Sequence, residues 1–249
     1  MQLKEFNSHP TRKRILVAIV NFNQEQEIRL VLDQMRTLYP VEDTILIDDG
    51  SSDDSPMIAE RAGFGVIRHN VNLGVGAAIR TGIQHARERN YDFIAIMSSN
   101  GKMRPVDLKA IINPILAGEA DYTCGSRFIS GGSSPSLPLF RRIAIPVLSL
   151  ITWPLLGRHF TDITCGFRCY TLQIFDHPQV EIEQSWLNRY EMETYIHYWA
   201  CLLKLRIVEV PVVIPYSHLA KGRRSKIRPL TGWWSIVRPY FLLRMGIRK

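Results

Sequence analysis

Side chains able to bind or polarise a ligand gather directly after short apolar runs, in the loops that follow Val20, Ile47, Ile67 and Met97. In "ILIDDGSSDDS", Asp48 and Asp49 end such a run and Gly50 follows. Carboxylates at a strand's end accept hydrogen bonds from ribose hydroxyls or a base N–H, and glycine permits a tight turn with positive φ. The same residues also suit an acidic turn that caps the next helix. In "NVNLGVGAAIRTG", Asn72, Gly74 and Gly76 open a helical pattern whose first amides favour a phosphate. Its spacing is not the Gly-x-Gly-x-x-Gly of a dinucleotide site. His69, His85, His177, His197 and His218 are scattered without metal-ligand spacing, and no Ser-His-Asp arrangement is evident.

Apolar β-branched runs alternate with helical patterns to hold these loops. Residues 15–20, 44–47, 65–67 and 93–97 read as strands; 25–38, 55–62, 76–89 and 105–116 read as helices. That alternation predicts βαβ units and an α/β fold with a mainly parallel, Rossmann-like sheet covered on both faces. Ligands of such sheets bind at the carboxyl ends of the strands. The second half begins at Tyr122 with "YTCGSRF", crosses a Gly/Ser/Pro loop at 130–138, and continues through a helical 191–203 to a strand-like 206–214.

The chain's net charge is +8, and it is uneven. Residues 202–249 carry eleven basic residues and one acid, Glu209, which leaves residues 1–201 at −2. A basic tail can face nucleic acid, anionic lipid or a phosphorylated substrate. No helix-turn-helix, zinc-finger or RNA-recognition signature is present, so nucleic acid is not expected. Cys124, Cys165, Cys169 and Cys201 include no Cys-x-x-Cys pair, which suits a reduced, cytoplasmic chain. The apolar stretch 143–156 is interrupted by Pro146 and Pro154 and falls short of the ~20 residues that span a bilayer. Its composition, with Trp153 and the preceding Arg141 and Arg142, fits helices in a membrane interface or a buried helix pair. With Trp233, Trp234 and Tyr240 in the basic tail, this predicts peripheral attachment to an anionic membrane surface. Residues 1–220 are expected to form the domain and 221–249 a basic aromatic segment at the membrane.

Six motifs in order, "IVNFNQEQEI", "IDDGSSDDS", "NLGVGAAIRTGI", "GSRF", "DITCGFRCY" and "RIVEVPVVI", give the chain a specific likeness. It resembles the family 2 glycosyltransferases of GT-A fold, in their dolichyl-phosphate mannosyltransferase-like, polyprenyl-phosphate branch. The resemblance implies that Val20, Phe22 and Gln24 surround a nucleotide base, standing for the family's Pro, Tyr and Glu, and that Ile47 and Asp49 hold base and ribose. Gly74 would border the nucleotide. Arg127, Arg168 and Lys226 fall where the family places cations for nucleotide or acceptor phosphates, with surface ion pairing as the alternative for each. Arg141, Arg142 and Asp162 fall on the acceptor side, Asp162 being acceptor-facing or structural. Glu191 and Glu193 compete for the family's helical Glu.

The largest departure follows the fourth strand. The family places Asp-x-Asp-Gly-Gln there, whose carboxylates bind Mg²⁺ or Mn²⁺; this chain reads Ser98, Ser99, Asn100, Gly101, Lys102. Hard cations want anionic oxygens, so Ser98 and Asn100 make a poor metal site. Lys102 either brings its own charge to the diphosphate or is a solvated turn residue. The resemblance thus implies a divalent cation that this loop does not suit. The implied activity is inverting transfer of a sugar from a nucleotide-sugar to a polyprenyl phosphate or related lipid acceptor. A catalytically inactive nucleotide-sugar-binding protein that regulates or scaffolds a membrane glycan pathway is the alternative.

Overall fold

The computed structural model describes residues 13–216 and 231–248. Seven strands form one sheet: β1 (Ile15–Asn21), β2 (Thr44–Asp48), β3 (Gly65–Arg68), β4 (Phe93–Ser98), β5 (Tyr122–Ser126), β6 (Arg168–Thr171) and β7 (Ile207–Pro211). Their order is β3-β2-β1-β4-β6-β5-β7. All neighbours are parallel except β6, which runs antiparallel to both β4 and β5. The Ile/Val runs of β1, β2 and β4 are buried along almost their whole length, as strands covered on both faces must be.

The helices are α1 (Glu25–Leu38), α2 (Ser55–Arg61), α3 (Val75–Glu88), α4 (Leu108–Leu116), α5 (Leu139–Leu156), α6 (Glu191–Leu202) and α7 (Thr231–Arg244). One sheet face packs against α1, α2 and α4, and the other against α3, α6 and α7. In α1, Ile28, Val31, Leu32 and Met35 supply the stripe at helical spacing that meets the sheet. In α3 the stripe narrows at Gly82, where an added Cβ would lie 3.1 Å from the Ala18 methyl. That glycine lets helix and strand approach closely.

Three features differ from expectation. The segment "RCYT", read only as part of a motif, is a strand inserted between β4 and β5; Arg168 stands in register with Ile96 on one side and Cys124 on the other. The Pro-interrupted stretch is one continuous helix, α5, rather than a buried pair. Pro146 and Pro154 lie on its exposed side, each removing one intrahelical hydrogen bond without breaking the helix. By length and composition α5 could cross a membrane, although core helices pass the same criterion. Finally, the expected boundary at 220/221 does not separate the tail helix from the core: Ile236, Val237, Tyr240 and Leu243 of α7 are buried in the main cluster.

Candidate active site

At the carboxyl ends of β1, β2 and β4 a buried polar network fixes the loops. The Asn21 carboxamide donates to Asp48 Oδ1 (2.7 Å), Ser51 Oγ (3.1 Å) and Ser55 Oγ (2.7 Å), and accepts from Ser99 Oγ (2.7 Å). All five side chains are buried. Asn21 thus ties the turn after β4 to the acidic loop after β2. Sequence reading passed over it, because an asparagine ending an apolar strand carries no motif of its own.

Asp49 is the hinge pin of the next loop. Its Oδ1 accepts from Leu73 N (2.9 Å) and lies 2.9 Å from His69 Nδ1; its Oδ2 accepts from Gly74 N (2.9 Å). Gly50, at φ +73°, packs so closely that an added Cβ would lie 2.5 Å from the Val71 carbonyl carbon. Gly74, at φ +107°, similarly leaves no room for a side chain beside the Asn188 carbonyl oxygen. The two glycines and Asp49 therefore bring "DDGSS" and "NLGVG" together; of the two readings open in the sequence, ligand contact and a structural acidic turn, these hydrogen bonds are those of a turn that pins the following loop.

A cleft of about 220 Å³ opens beside these loops. Val20, Ser98, Asn100, Arg168 and Glu193 line it, with Val75, Ile79, Ile96, Ile163 and Ile236 as apolar walls. Four of the expected site residues, Val20, Ser98, Asn100 and Arg168, thus share one cavity. Asn100 Oδ1 accepts from Lys102 N (3.0 Å), closing the turn on itself. Phe22 and Gln24 stay beside the β1 end, with Gln24 Nε2 donating to the Phe22 carbonyl (3.1 Å). Ile47 is wholly buried in the core, so its side chain is a wall of the fold.

The expected phosphate-binding arginines are largely engaged inside the protein. Arg127 donates to Asp162 through Nε (2.6 Å) and Nη2 (2.8 Å), to Thr164 Oγ1 (2.7 Å) and to the Tyr216 hydroxyl (3.2 Å). Burial opposes its charge, but the Asp162 carboxylate outweighs that and holds the guanidinium firmly protonated. Asp162 is buried, and both of its carboxylate oxygens accept from Arg127. Arg168 donates to the carbonyls of Cys165 (2.8 Å), Ile163 (2.9 Å) and Glu193 (2.7 Å) and to the Tyr122 hydroxyl (2.9 Å). It braces the "DITCGFR" loop against β5 and α6 while bordering the cavity.

Tyr216 was not singled out in the sequence, yet it collects cations. Its hydroxyl accepts from Arg127 and from Arg141 Nη1 (both 3.2 Å), and Lys102 Nζ lies 5.1 Å from its ring centre. Arg141 faces inward from the first turn of α5, whereas Arg142 points to solvent. Lys226 lies outside the described residues. On α6, Glu191 pairs with Arg238 of α7 (2.6 Å), so of the two competing glutamates only Glu193 borders the cavity.

Comparison with known proteins agrees with this architecture. The undecaprenyl-phosphate mannosyltransferase of Micrococcus luteus is 28% identical over 220 residues, covering 85% of this chain and 88% of the relative. The UDP-N-acetylglucosamine–dolichyl-phosphate N-acetylglucosaminyltransferase of Methanococcus voltae is 27% identical over 232 residues, covering 86% and 91%. Among solved structures, glucosyl-3-phosphoglycerate synthase from Mycobacterium tuberculosis, in complex with UDP, superposes with a TM-score of 0.65 at 19% identity over 95% of this chain and 82% of that one. That likeness shows the fold, a GT-A architecture. The model of the family described as "Glycosyl transferase family 2" matches residues 16–178, well over half of the sequence, and the chain belongs to that family.

Proposed function

We propose that this protein is an inverting glycosyltransferase that moves a sugar from a nucleotide-sugar to a polyprenyl phosphate or related lipid phosphate at the cytoplasmic face of a membrane. One observation carries the lipid part of this reading. Helix α5 turns Arg141 inward to the cation cluster at Tyr216 and turns Leu139, Phe140 and Ile143 out to solvent. A ligand with an anionic head and an apolar tail matches that helix end. The similarity to polyprenyl-phosphate sugar transferases supports the same acceptor class.

In this reading Val20, Phe22, Gln24 and the loop pinned by Asp49 and Gly74 border the nucleotide, and Ser98 and Asn100 face its diphosphate end. Lys102 and Arg141 meet phosphate charge, while Arg127 positions Tyr216. A phosphate oxygen of the acceptor forms a bond to the sugar C1. The bond from C1 to the nucleoside diphosphate breaks and its electron pair leaves with the diphosphate. The nucleophile is already anionic, so no general base is required, and positioning with electrostatic stabilisation supplies the rate. The direct test is whether label from a nucleotide-sugar becomes lipid-soluble when polyprenyl phosphate is added; a panel of donors that yields no such product would refute the reading.

Related structures contain Mn²⁺ with UDP-glucose. The residues here do not fit such an ion. Ser98 and Asn100 are neutral donors, Asn100 Oδ1 is already an acceptor for Lys102 N, and Arg168 adds positive charge to the same cavity. Among the described residues no group of three His, Cys, Asp or Glu side chains is placed to hold a metal. Lys102 is the charge this chain places beside the turn instead.

The exposed face of α5 also supports membrane contact. Its buried stripe, Arg141, Ile145, Ser149, Thr152 and Leu156, runs the whole helix and is partly polar, whereas Ile143, Val147, Leu150, Ile151 and Trp153 are exposed. A helix docked on its domain along its full length lies on a bilayer rather than through it. Exposed Arg142, Arg158, Arg244 and Arg248 can add ~1 kcal/mol each toward anionic lipid where they reach the surface. The protein is expected to sediment with phosphatidylglycerol vesicles at low salt and to be released by high salt. The Ile143→Glu/Leu150→Glu variant is expected to stay in the supernatant; wild-type protein that does not sediment would refute attachment.

A further inference from the structure

We infer that Ser99 is a positioning residue: through Asn21 it anchors the turn after β4, Ser98 to Lys102, so that the turn presents Lys102 to a nucleoside diphosphate. This rests on the transferase reading above and deepens it.

Within itself the turn is closed by neutral groups. Asn100 Oδ1 accepts from Lys102 N (3.0 Å), Gly101 takes a φ of +70°, and Ser98 N lies 3.2 Å from the Met103 sulfur. Ser99 is what ties this unit to the end of β1, and it does so twice. Its backbone N–H donates to the Val20 carbonyl (3.0 Å), and its hydroxyl donates to Asn21 Oδ1 (2.7 Å). The Ser99 side chain is fully buried, so it holds the turn and touches no ligand.

Asn21 is itself fixed, because its amide donates to Asp48, Ser51 and Ser55. No buried side-chain atom of these five residues lacks a partner, and a fully satisfied buried network is rigid. Rigidity matters here because Ser98 and Asn100 are neutral where a divalent cation would want carboxylates. With no carboxylate pair to clamp the turn through an ion, its orientation rests on the bonds to β1. Lysine meets a diphosphate as a point charge on a flexible stem, so the place where that stem starts decides how well the charge is used.

The test measures UDP, GDP and ADP, each against its own nucleoside, by calorimetry on the full chain. Ser99→Ala is expected to weaken the diphosphate that binds about 3- to 10-fold, the range of one hydrogen bond, and to leave its nucleoside within about twofold. Ser55→Ala is the control: Ser55 is equally buried and equally bonded to Asn21 (2.7 Å), but it belongs to α2. It is expected to lower Tm and to leave the diphosphate within about twofold. Ser99→Ala combined with Lys102→Gln is expected to bind the diphosphate little worse than Lys102→Gln alone, because a charge already absent cannot be misplaced. Ser99→Cys, close in shape but a weaker donor, is expected to fall between Ser99→Ala and the natural protein, and it carries the test if Ser99→Ala misfolds. Unchanged diphosphate affinity in Ser99→Ala, equal weakening of nucleoside and diphosphate, an equal effect of Ser55→Ala, or additive losses in the double variant would overturn the inference. Natural protein that binds none of the three diphosphates would instead overturn the transferase reading.

Discussion

Asp162→Ala is expected to destabilise the fold by about 3–5 kcal/mol, the range for removing one partner of a buried ion pair. The reason is the fate of Arg127. Its side chain is 4% exposed and Asp162 is fully enclosed, so deleting the carboxylate strands a guanidinium where water cannot reach it. Three hydrogen bonds from Arg127, two from the guanidinium and one from its backbone N–H, disappear with the carboxylate. The loss extends to the site, because Arg127 also donates to Thr164 and Tyr216 and so fixes the loop around the cation cluster. Arg127→Met combined with Asp162→Leu is expected to recover much of the stability while leaving Tyr216 poorly placed. Urea unfolding of the three proteins measures this. A cost below about 1 kcal/mol for Asp162→Ala, the range of an exposed pair, would show that the pair is not enclosed as described.

Nucleoside diphosphate binding is expected to survive EDTA, and Lys102→Gln is expected to weaken it about 10- to 100-fold while leaving the nucleoside alone nearly unaffected. The ammonium is a point charge on a flexible stem, suited to a diphosphate that no divalent ion neutralises. Adding Ser98→Asp and Asn100→Asp to Lys102→Gln is expected to make binding depend on Mn²⁺, because two carboxylates supply the anionic oxygens that a hard cation needs. Calorimetry with and without EDTA separates these outcomes. Abolition of binding to the natural protein by EDTA would mean that other oxygen ligands hold a metal and that Lys102 is incidental.

Much of the fold is legible in the sequence, because strands buried on both faces must be written as apolar runs and their covering helices as amphipathic patterns. Residues 15–20, 44–47 and 93–97 follow that rule, 65–67 form a part-exposed edge strand at one end of the sheet, and the structure extends each by only a residue or so. β6 does not follow it. Four residues, one of them Arg168, form a strand whose charge is satisfied by carbonyls up to 25 positions away, a pairing invisible to periodicity. The same limit governs the site. Sequence shows that Arg127 and Arg168 are cations but not that Asp162 and a ring of carbonyls already occupy them. The rivalry between Glu191 and Glu193 turned on Arg238, which lies 47 positions beyond Glu191 in a helix that the tail's basic composition did not mark as core. Tyr216 has no motif, and it matters only because three distant cations converge on it.

Transfer itself tests the central claim most directly. The full chain is incubated with anionic vesicles containing polyprenyl phosphate and a panel of nucleotide-sugars labelled in the sugar, and label is counted after extraction into organic solvent. The expected result is lipid-soluble label from at least one donor, formed with inversion at C1 and dependent on the polyprenyl phosphate, at an undiminished rate in EDTA. Tight nucleotide-sugar binding with no lipid-soluble label from any donor, with or without added Mn²⁺, would contradict it and leave a binding protein in place of an enzyme.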